Sequence, residues 1–223
     1  MEDDVWESEY IDAYDNVLLN SEIYLAVRDF HVNSMDGCET VLDSGCGTGN
    51  VTTELLKRDH VVYAIDPSRK SLDKLREKCK DHDNIKIFHR SAEKLPFDKD
   101  MFDGVTSMFV VHFVDDFDGY LREHYRVLKH DGVFAITGRS SGINMEKVVE
   151  SYENSLIKKG LLSELQNEMN IMRKKILNNV SKTVKHGYTS KEMQDILSDV
   201  GFRKIREFPN PYFGQCYSLT ARK

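Results

Sequence analysis

Asp43-Ser44-Gly45-Cys46-Gly47-Thr48-Gly49 is the stretch on which the reading of this chain turns. Three glycines at alternate positions follow the apolar pair Val41-Leu42 and precede Val51 to Lys57, a run that reads as a helix. Glycine lets a chain turn tightly and bring its backbone against a ligand. A helix behind such a turn offers unpaired N–H groups and the positive end of its dipole. The acid before the glycines suits a cationic group such as an ammonium. Asp66 ends the next apolar run, Val61-Val62-Tyr63-Ala64-Ile65, seventeen residues beyond Gly49. An acid at that place accepts hydrogen bonds from ribose hydroxyls in dinucleotide-binding folds. The spacing here is D-x-G-x-G-x-G and not the G-x-G-x-x-G of nicotinamide enzymes, so a nicotinamide oxidoreductase is a distant reading.

Outward from this motif, short apolar runs alternate with helical ones. Val41-Leu42 and Val61 to Ile65 read as buried strands, followed by a strand at Ile85, Ile87 and Phe88. Phe102 to Val111 reads as a central strand apolar on both faces, and Val133 to Thr137 as a fifth. Between them, Ser68 is placed to cap a helix carrying Leu72, Leu75 and Cys79. Phe117 to Leu128 reads as another helix, ending in the turn Lys129-His130-Asp131-Gly132. Strand and helix in alternation predict an α/β fold with a parallel sheet and right-handed crossovers. Residues 144–185 break the rhythm. Met145, Val148, Val149, Tyr152 and Leu156, then Leu161, Leu165, Met169, Met172, Ile176 and Val180, keep helical spacing without a strand between them. Ser163-Glu164-Leu165-Gln166 has the form of a capping box. Tyr188 to Glu192 opens a last helix that Gly201 ends, and Phe202 to Phe208 with Tyr217 to Ala221 form a closing hairpin.

The chain has 223 residues, enough for one domain with its own core. The net charge of −6 argues against broad binding to nucleic acid or anionic lipid. No apolar run approaches the roughly 20 residues of a membrane span, and the acidic start Met1-Glu2-Asp3-Asp4 is unlike a secretory leader. The four cysteines have no C-x-x-C spacing and the eight histidines no H-E-x-x-H pairing. Reduced thiols, no metal ion and a cytoplasmic location are therefore expected. Charge is unevenly spread: residues 1–40 hold eleven acids and one base, Arg28. That segment also contains Trp6, Tyr10, Tyr14, Ile23, Tyr24, Leu25 and Val27, too apolar for a solvated tail, so it reads as a helical cap packed on the domain.

Taken together, these segments resemble the class I S-adenosylmethionine-dependent methyltransferases, in particular the small-molecule branch that includes quinone-biosynthesis enzymes. Val41 to Gly49 is similar to the family's first motif and Ala64-Ile65-Asp66-Pro67-Ser68 to its second. Ser91-Ala92-Glu93-Lys94-Leu95-Pro96-Phe97 resembles the segment after strand three, Phe102 to Val105 the opening of strand four, and Val127 to Gly132 the turn before strand five. The resemblance covers about residues 40–140. It implies a Rossmann-like three-layer sandwich with a seven-stranded, mostly parallel sheet, an antiparallel last strand and a helical cap. It also implies S-adenosyl-L-methionine as cofactor. Gly45, Gly47 and Gly49 would line its methionine and ribose, Asp43 would sit near its amino group, Asp66 would hold the ribose hydroxyls, and Ala92 and Glu93 would flank the adenine. Cys46, Pro67, Met108 and Tyr14 complete the expected cofactor-binding set. Ser91 stands where the family usually has an Asp, and can still accept one neutral hydrogen bond. His130-Asp131 replaces Pro-Gly in a turn.

The acceptor is less marked, because the cofactor supplies the electrophile and the protein mainly aligns and desolvates. His112, after strand four, is the candidate general base; its ordinary alternative is a packing histidine. Trp6 and Tyr10 on the cap, Arg139 after strand five, and His186 and Tyr188 before the last helix are candidate acceptor-binding residues. The alternatives are an amphipathic helix face, a surface arginine and a surface turn. Arg139 would suit an acceptor carboxylate or phosphate. Strand four lacks the N-P-P-Y of amine-methylating enzymes, and Pro209-Asn210-Pro211-Tyr212 reads as a late loop. The cysteines do not suit arsenite methylation. Asp115 and Asp116 read as a helix cap and not as metal ligands. The expectation is thus one methyltransferase domain over residues 1–223, with 1–40 and 144–185 forming an acceptor lid and Met169 and Met172 lining an apolar pocket. The partner is a small-molecule acceptor, with nucleic acid and membrane disfavoured, in a monomer or homodimer. An RNA (tRNA) methyltransferase using Lys158, Lys159, Arg173, Lys174, Lys175, Lys182 and Lys185 as a basic face, and a non-catalytic cofactor-binding scaffold, are the alternatives.

Overall fold

Two strands buried along most of their length, β1 (Thr40–Ser44) and β4 (Phe102–Met108), lie side by side at the middle of the sheet. The computed structural model describes residues 8–180 and 186–223. From β1 the sheet runs outward through β2 (Val61–Asp66) to β3 (Ile85–His89). On the other side it runs from β4 through β5 (Leu128–Arg139) to β7 (Cys216–Arg222) and the edge strand β6 (Arg203–Glu207). β1 to β5 are parallel, and β7 is antiparallel to both of its neighbours. The expected seven-stranded sheet and closing hairpin are present.

The sequence sets the helix boundaries locally. Ser68 caps α4 (Arg69–Lys78) by accepting from the Ser71 N–H at 3.2 Å. Asp116 caps α5 (Phe117–Val127), accepting from the Gly119 N–H at 2.9 Å. Thr189 and Glu192 form a capping box on α8 (Ser190–Val200), and Gly201 ends it in the left-handed conformation at φ +114°. Three expectations are corrected. Strand four stops at Met108, because Phe109 turns the chain at φ +60° and Val111–Phe113 forms a 3-10 turn. The helix after the glycines, α3, is only Thr52–Leu56. No capping box forms at Ser163: α7 (Gln166–Lys175) starts behind Leu165, which has no side-chain cap bond. There, packing of Leu161, Leu162 and Leu165 against a buried cluster fixes the start instead of the polar signal.

α1 (Ser8–Leu18), α2 (Glu22–Ser34), α6 (Met145–Lys158) and α7 come together over the carboxyl ends of the strands. Tyr10, Val17, Leu18 and Tyr24 of the first pair bury against Val149, Tyr152, Leu156, Met169 and Met172 of the second. Each such side chain contributes roughly 1.5–3 kcal/mol on burial. The acids of the N-terminal segment meet bases elsewhere: Asp12 with Lys74 at 2.9 Å, Asp15 with Lys78 at 2.5 Å and Glu22 with Lys158 at 2.8 Å. The uneven charge of the sequence is thus a docking complement. Trp6, Lys182 and Lys185 lie outside the described residues.

Two histidines are consumed by the core. His31 bridges the Thr106 and Thr137 hydroxyls at 2.5 and 2.8 Å, and His124 bridges the Ser44 hydroxyl and the Tyr120 carbonyl at 2.8 and 2.5 Å. Burial lowers both, to about 3 and about 4, so each stays neutral.

Candidate functional site

The direction of chain progression reverses between β1 and β4, and open α/β sheets place their ligands at the carboxyl ends of such a pair. The glycine loop leaves β1 at this point. The N–H groups of Gly45 and Cys46 both donate to the Ile65 carbonyl, at 2.8 and 3.0 Å, so the loop stays tied to β2 beyond the last rung. A Cβ on Gly45 would stand 2.2 Å from Val110, and one on Gly49 2.2 Å from the fully buried Leu75 of α4. Gly47 faces the opposite situation: at φ +53° its missing Cβ would meet nothing within 4 Å. The loop therefore packs through two glycines and opens through the third. Gly49 is corrected accordingly: it is not a wall of the cavity but the contact that seats the loop on α4.

Asp66 organises the floor. One carboxylate oxygen accepts from the Gly47 N–H at 2.9 Å and the other from the Ser68 N–H at 2.8 Å. Asp43 accepts from the Thr52 hydroxyl at 2.6 Å and is 2% exposed. Burial pushes Asp43 up to about 7 and Asp66 up to about 6, and the negative charge of Asp66 adds to the effect on Asp43. Among the described residues no lysine or arginine lies beside these two desolvated acids in the cavity, so a positive charge placed there would favour their ionised forms. The third acid, Glu93, takes the Ser91 hydroxyl at 2.8 Å, and its other oxygen takes the N–H groups of Asp115 and, at 2.7 Å, Asp116. This ties the loop after β3 to the start of α5.

The cap closes the opposite side. Asp15 of α1 accepts from the Thr48 hydroxyl at 2.6 Å and the Asn50 amide at 3.0 Å, and the same amide donates to the Tyr24 hydroxyl at 3.1 Å. Beyond this clamp the cavity widens into an aromatic chamber. The Tyr10 and Tyr14 rings are 6.0 Å apart, Tyr14 and Tyr24 6.3 Å, and Phe109 meets Tyr212 edge-on at 5.7 Å. The Tyr152 and Tyr212 hydroxyls are hydrogen-bonded at 3.0 Å. Five of the ten tyrosines line this one cavity, so its aromatic content is a property of the site and not of the core at large.

Of the candidate residues, Asp43, Gly45, Cys46, Gly47, Asp66, Pro67, Ser91, Ala92, Glu93, Met108 and Tyr14 line the cavity, together with Tyr10, His112 and Arg139. His186 and Tyr188 do not. They stack on Phe117 at 5.2 and 4.8 Å, where aromatic packing on α5 holds them away from the cavity. Met172 lines the cavity while Met169 packs behind it. Trp6 is outside the described residues. His112 is at the wall: it is 1% exposed, and burial, then the charge of Arg139, lowers its pKa well below 6.5. Such a ring is neutral and a weak proton acceptor, suited to hydrogen bonding. Arg139, allowed as a surface residue by its sequence, is instead directed into the chamber.

Sequence reasoning missed Phe109, Tyr24, Tyr152 and Tyr212 as site residues. The strand pattern hid Phe109, helical spacing made Tyr24 and Tyr152 look like core, and Tyr212 sat in a loop set aside. The one available signal was the density of tyrosine on the cap.

The strand order, the reversal point and the glycine loop are those of a Rossmann-like α/β fold with its ligand site at the reversal point. Residues 42–136 match the family described as "Methyltransferase domain". The chain is 34% identical over 130 residues to the ubiquinone/menaquinone biosynthesis C-methyltransferase UbiE of Vibrio campbellii, covering 54% of this chain and 50% of that one. It thus spans about half the length of that curated relative. Two solved structures share the fold. A methyltransferase of Thermotoga maritima, described as a possible histamine N-methyltransferase, superposes with TM-score 0.66 at 17% identity, over 97% of both chains. The 1,6-didemethyltoxoflavin-N1-methyltransferase of Burkholderia thailandensis, solved with its acceptor and S-adenosylhomocysteine, gives TM-score 0.64 at 20% identity, over 97% of this chain and 84% of that one.

Proposed function

We propose that this protein transfers the methyl group of S-adenosyl-L-methionine to a small-molecule acceptor. One observation carries the reading: a single cavity joins the glycine loop and its paired acids to an aromatic chamber under the helical cap. When bound, the cofactor supplies a methyl group on a sulfonium, and the chain's own residues bind, align and exclude water. Asp66 would accept the ribose hydroxyls on lone pairs left by Gly47 and Ser68. Asp43 would face the ammonium, and its ionised form would be favoured by that charge. The backbone of Gly45 to Gly47 would lie against the methionine portion, with Ala92 and Glu93 beside the adenine and Tyr14 and Met108 near the junction of the two halves. In-line transfer then needs an acceptor held on the chamber side, where Tyr10, Phe109 and Tyr152 form walls.

In the same proposal, residues 1–40 and 144–185 act as the lid of the acceptor chamber. The clamp of Asp15 on Thr48 and Asn50 supports this, because it links the lid to the loop that would hold the cofactor. Small molecules are favoured over RNA. Lys158 and Arg173, from the basic face, are engaged with Glu22 and Glu153, and Lys175 lies over the Tyr10 ring at 5.8 Å. The test is calorimetric titration with S-adenosylmethionine, S-adenosylhomocysteine and NADH in parallel. Micromolar binding of the first two and none of the third is expected, followed by a labelled-methyl screen of acceptors. Silence from the first two would overturn the reading.

A further inference from the structure

Arg139 closes β5 at the carboxyl end of the strand, and its carbonyl accepts from the Tyr188 N–H at 3.4 Å. Its guanidinium carbon stands 6.0 Å from the centre of the Phe113 ring, inside the chamber. Its Nη1 is buried and has no hydrogen-bond partner among the described residues. Among the described residues, its charge reaches Tyr152, Cys216, Tyr10, Tyr14 and His112, and burial keeps each of them neutral, raising the tyrosines and the thiol and lowering the histidine. Among the described residues it is the only lysine or arginine lining the cavity. The cavity's three acids are committed elsewhere: Asp43 to Thr52, Asp66 to Gly47 and Ser68, and Glu93 to Ser91 and the start of α5.

A desolvated guanidinium without a counter-ion opposes folding. It is kept where a ligand brings the missing charge. We propose that the methyl acceptor is a monoanion, a small carboxylate with an apolar or aromatic body, whose carboxylate is held by Arg139. This rests on the methyl-transfer reading and deepens it. One cation matches one charge, whereas a phosphate dianion would leave an uncompensated charge among tyrosines. The planar fork of arginine fits a carboxylate with two parallel N–H···O bonds. The walls beside it, Phe113, Tyr10 and Tyr152, receive the apolar body.

The test is thermal unfolding of the whole chain, with and without saturating S-adenosylhomocysteine, at constant ionic strength. The probes are benzoate against benzamide, acetate against acetamide, and inorganic phosphate. Each amide keeps the shape of its acid and removes the charge. Benzoate is expected to raise the midpoint by about 3 °C or more where benzamide does not, and acetate to exceed acetamide. Arg139→Met should abolish the difference, and Arg139→Lys should keep part of it. Unliganded Arg139→Met should melt no lower than the parent, since no internal hydrogen bond is lost. Equal responses to acid and amide, no response to either carboxylate, an effect surviving in Arg139→Met, or a larger effect of phosphate would each overturn the proposal. The acid–amide comparison in the parent chain needs no variant to fold. S-adenosylhomocysteine binding without a carboxylate effect would count against this proposal alone. A carboxylate effect without S-adenosylhomocysteine binding would count against the methyl-transfer reading alone.

Discussion

The two halves of the cavity are built in opposite ways. The glycine-loop half consists of backbone and carboxylates from the carboxyl ends of β1 and β2 and the loops after β1, β2 and β3, all between Asp43 and Glu93. The chamber half consists of large side chains from α1, α2, the turn after β4, the end of β5, α6, α7 and the stretch before β7, between Tyr10 and Cys216. The first is fixed by strand pairing, since its donors and acceptors continue the sheet's own hydrogen bonds. The second is fixed by helix packing, which must assemble before the chamber exists. Binding chemistry built on the sheet should survive damage to the cap, while the chamber should not.

The largest effect is expected from deleting residues 1–20. This removes Tyr10, Tyr14, Val17 and Leu18 from the helical cluster and Asp15 from Thr48, Asn50 and Lys78. By hydrogen exchange, amides of α6 and α7 should lose protection on the order of a hundredfold or more, given roughly 1.5–3 kcal/mol for each large side chain lost. Amides of β1 and β4 should keep theirs. Equal loss in the sheet would show that the halves fold as one unit and end the distinction.

The same contrast explains what was legible in the sequence. The sheet, its order of elements and the glycine-loop acids could be read because each depends on neighbours in the chain: alternation, a capping serine, an acid at a strand end. Eleven of the twelve residues expected to bind the cofactor line the cavity, and the exception, Gly49, serves the same loop from behind. The chamber was read poorly because its members meet only through packing. Tyr152 and Tyr212 are 60 positions apart and touch through their hydroxyls. His186 and Tyr188 had the right position in the chain but the wrong neighbour, Phe117. His112 has the expected place in the cavity wall, and burial lowers its pKa from the value its residue type suggests.

Asp66→Ala disturbs the glycine-loop half alone. The variant leaves the Gly47 and Ser68 N–H groups without their carboxylate and removes the acceptor proposed for the ribose. S-adenosylhomocysteine affinity should fall at least tenfold, about 1.4 kcal/mol, with the chamber's carboxylate response retained. Unchanged affinity by calorimetry would sink the placement of the ribose.

Acidity acts on the glycine-loop half through its two acids, with a smaller effect. Burial pushes Asp43 up to about 7 and Asp66 up to about 6, above the ordinary 3.8. Between those values the native chain holds protons that the unfolded chain has released. Their contribution to stability is therefore full below the unfolded value and lost as the pH rises through the folded ones. Binding of an ammonium beside Asp43 works in the other direction, because it favours the ionised acid. S-adenosylhomocysteine should bind severalfold more weakly at about pH 6 than at about pH 8. Near neutrality its binding should release a fraction of a proton, seen as a buffer-dependent enthalpy. A flat affinity across that range would remove Asp43 from the ammonium.

The smallest effect tests whether the chamber can be altered without touching the loop. Tyr152→Phe deletes one of two buried hydroxyls hydrogen-bonded at 3.0 Å, leaving the Tyr212 hydroxyl without that bond. An unsatisfied buried polar group costs about 1 kcal/mol or somewhat more, which for a chain of this length is a fall of about 2–4 °C in the unfolding midpoint. Removing both hydroxyls leaves no orphan, so Tyr152→Phe with Tyr212→Phe should be less destabilised than the sum of the two single variants. S-adenosylhomocysteine affinity should stay within error of the parent in all three. If the chamber helps to hold the cofactor, the single variants will weaken that affinity as Asp66→Ala does, and packing, not strand pairing, will be what maintains the glycine loop.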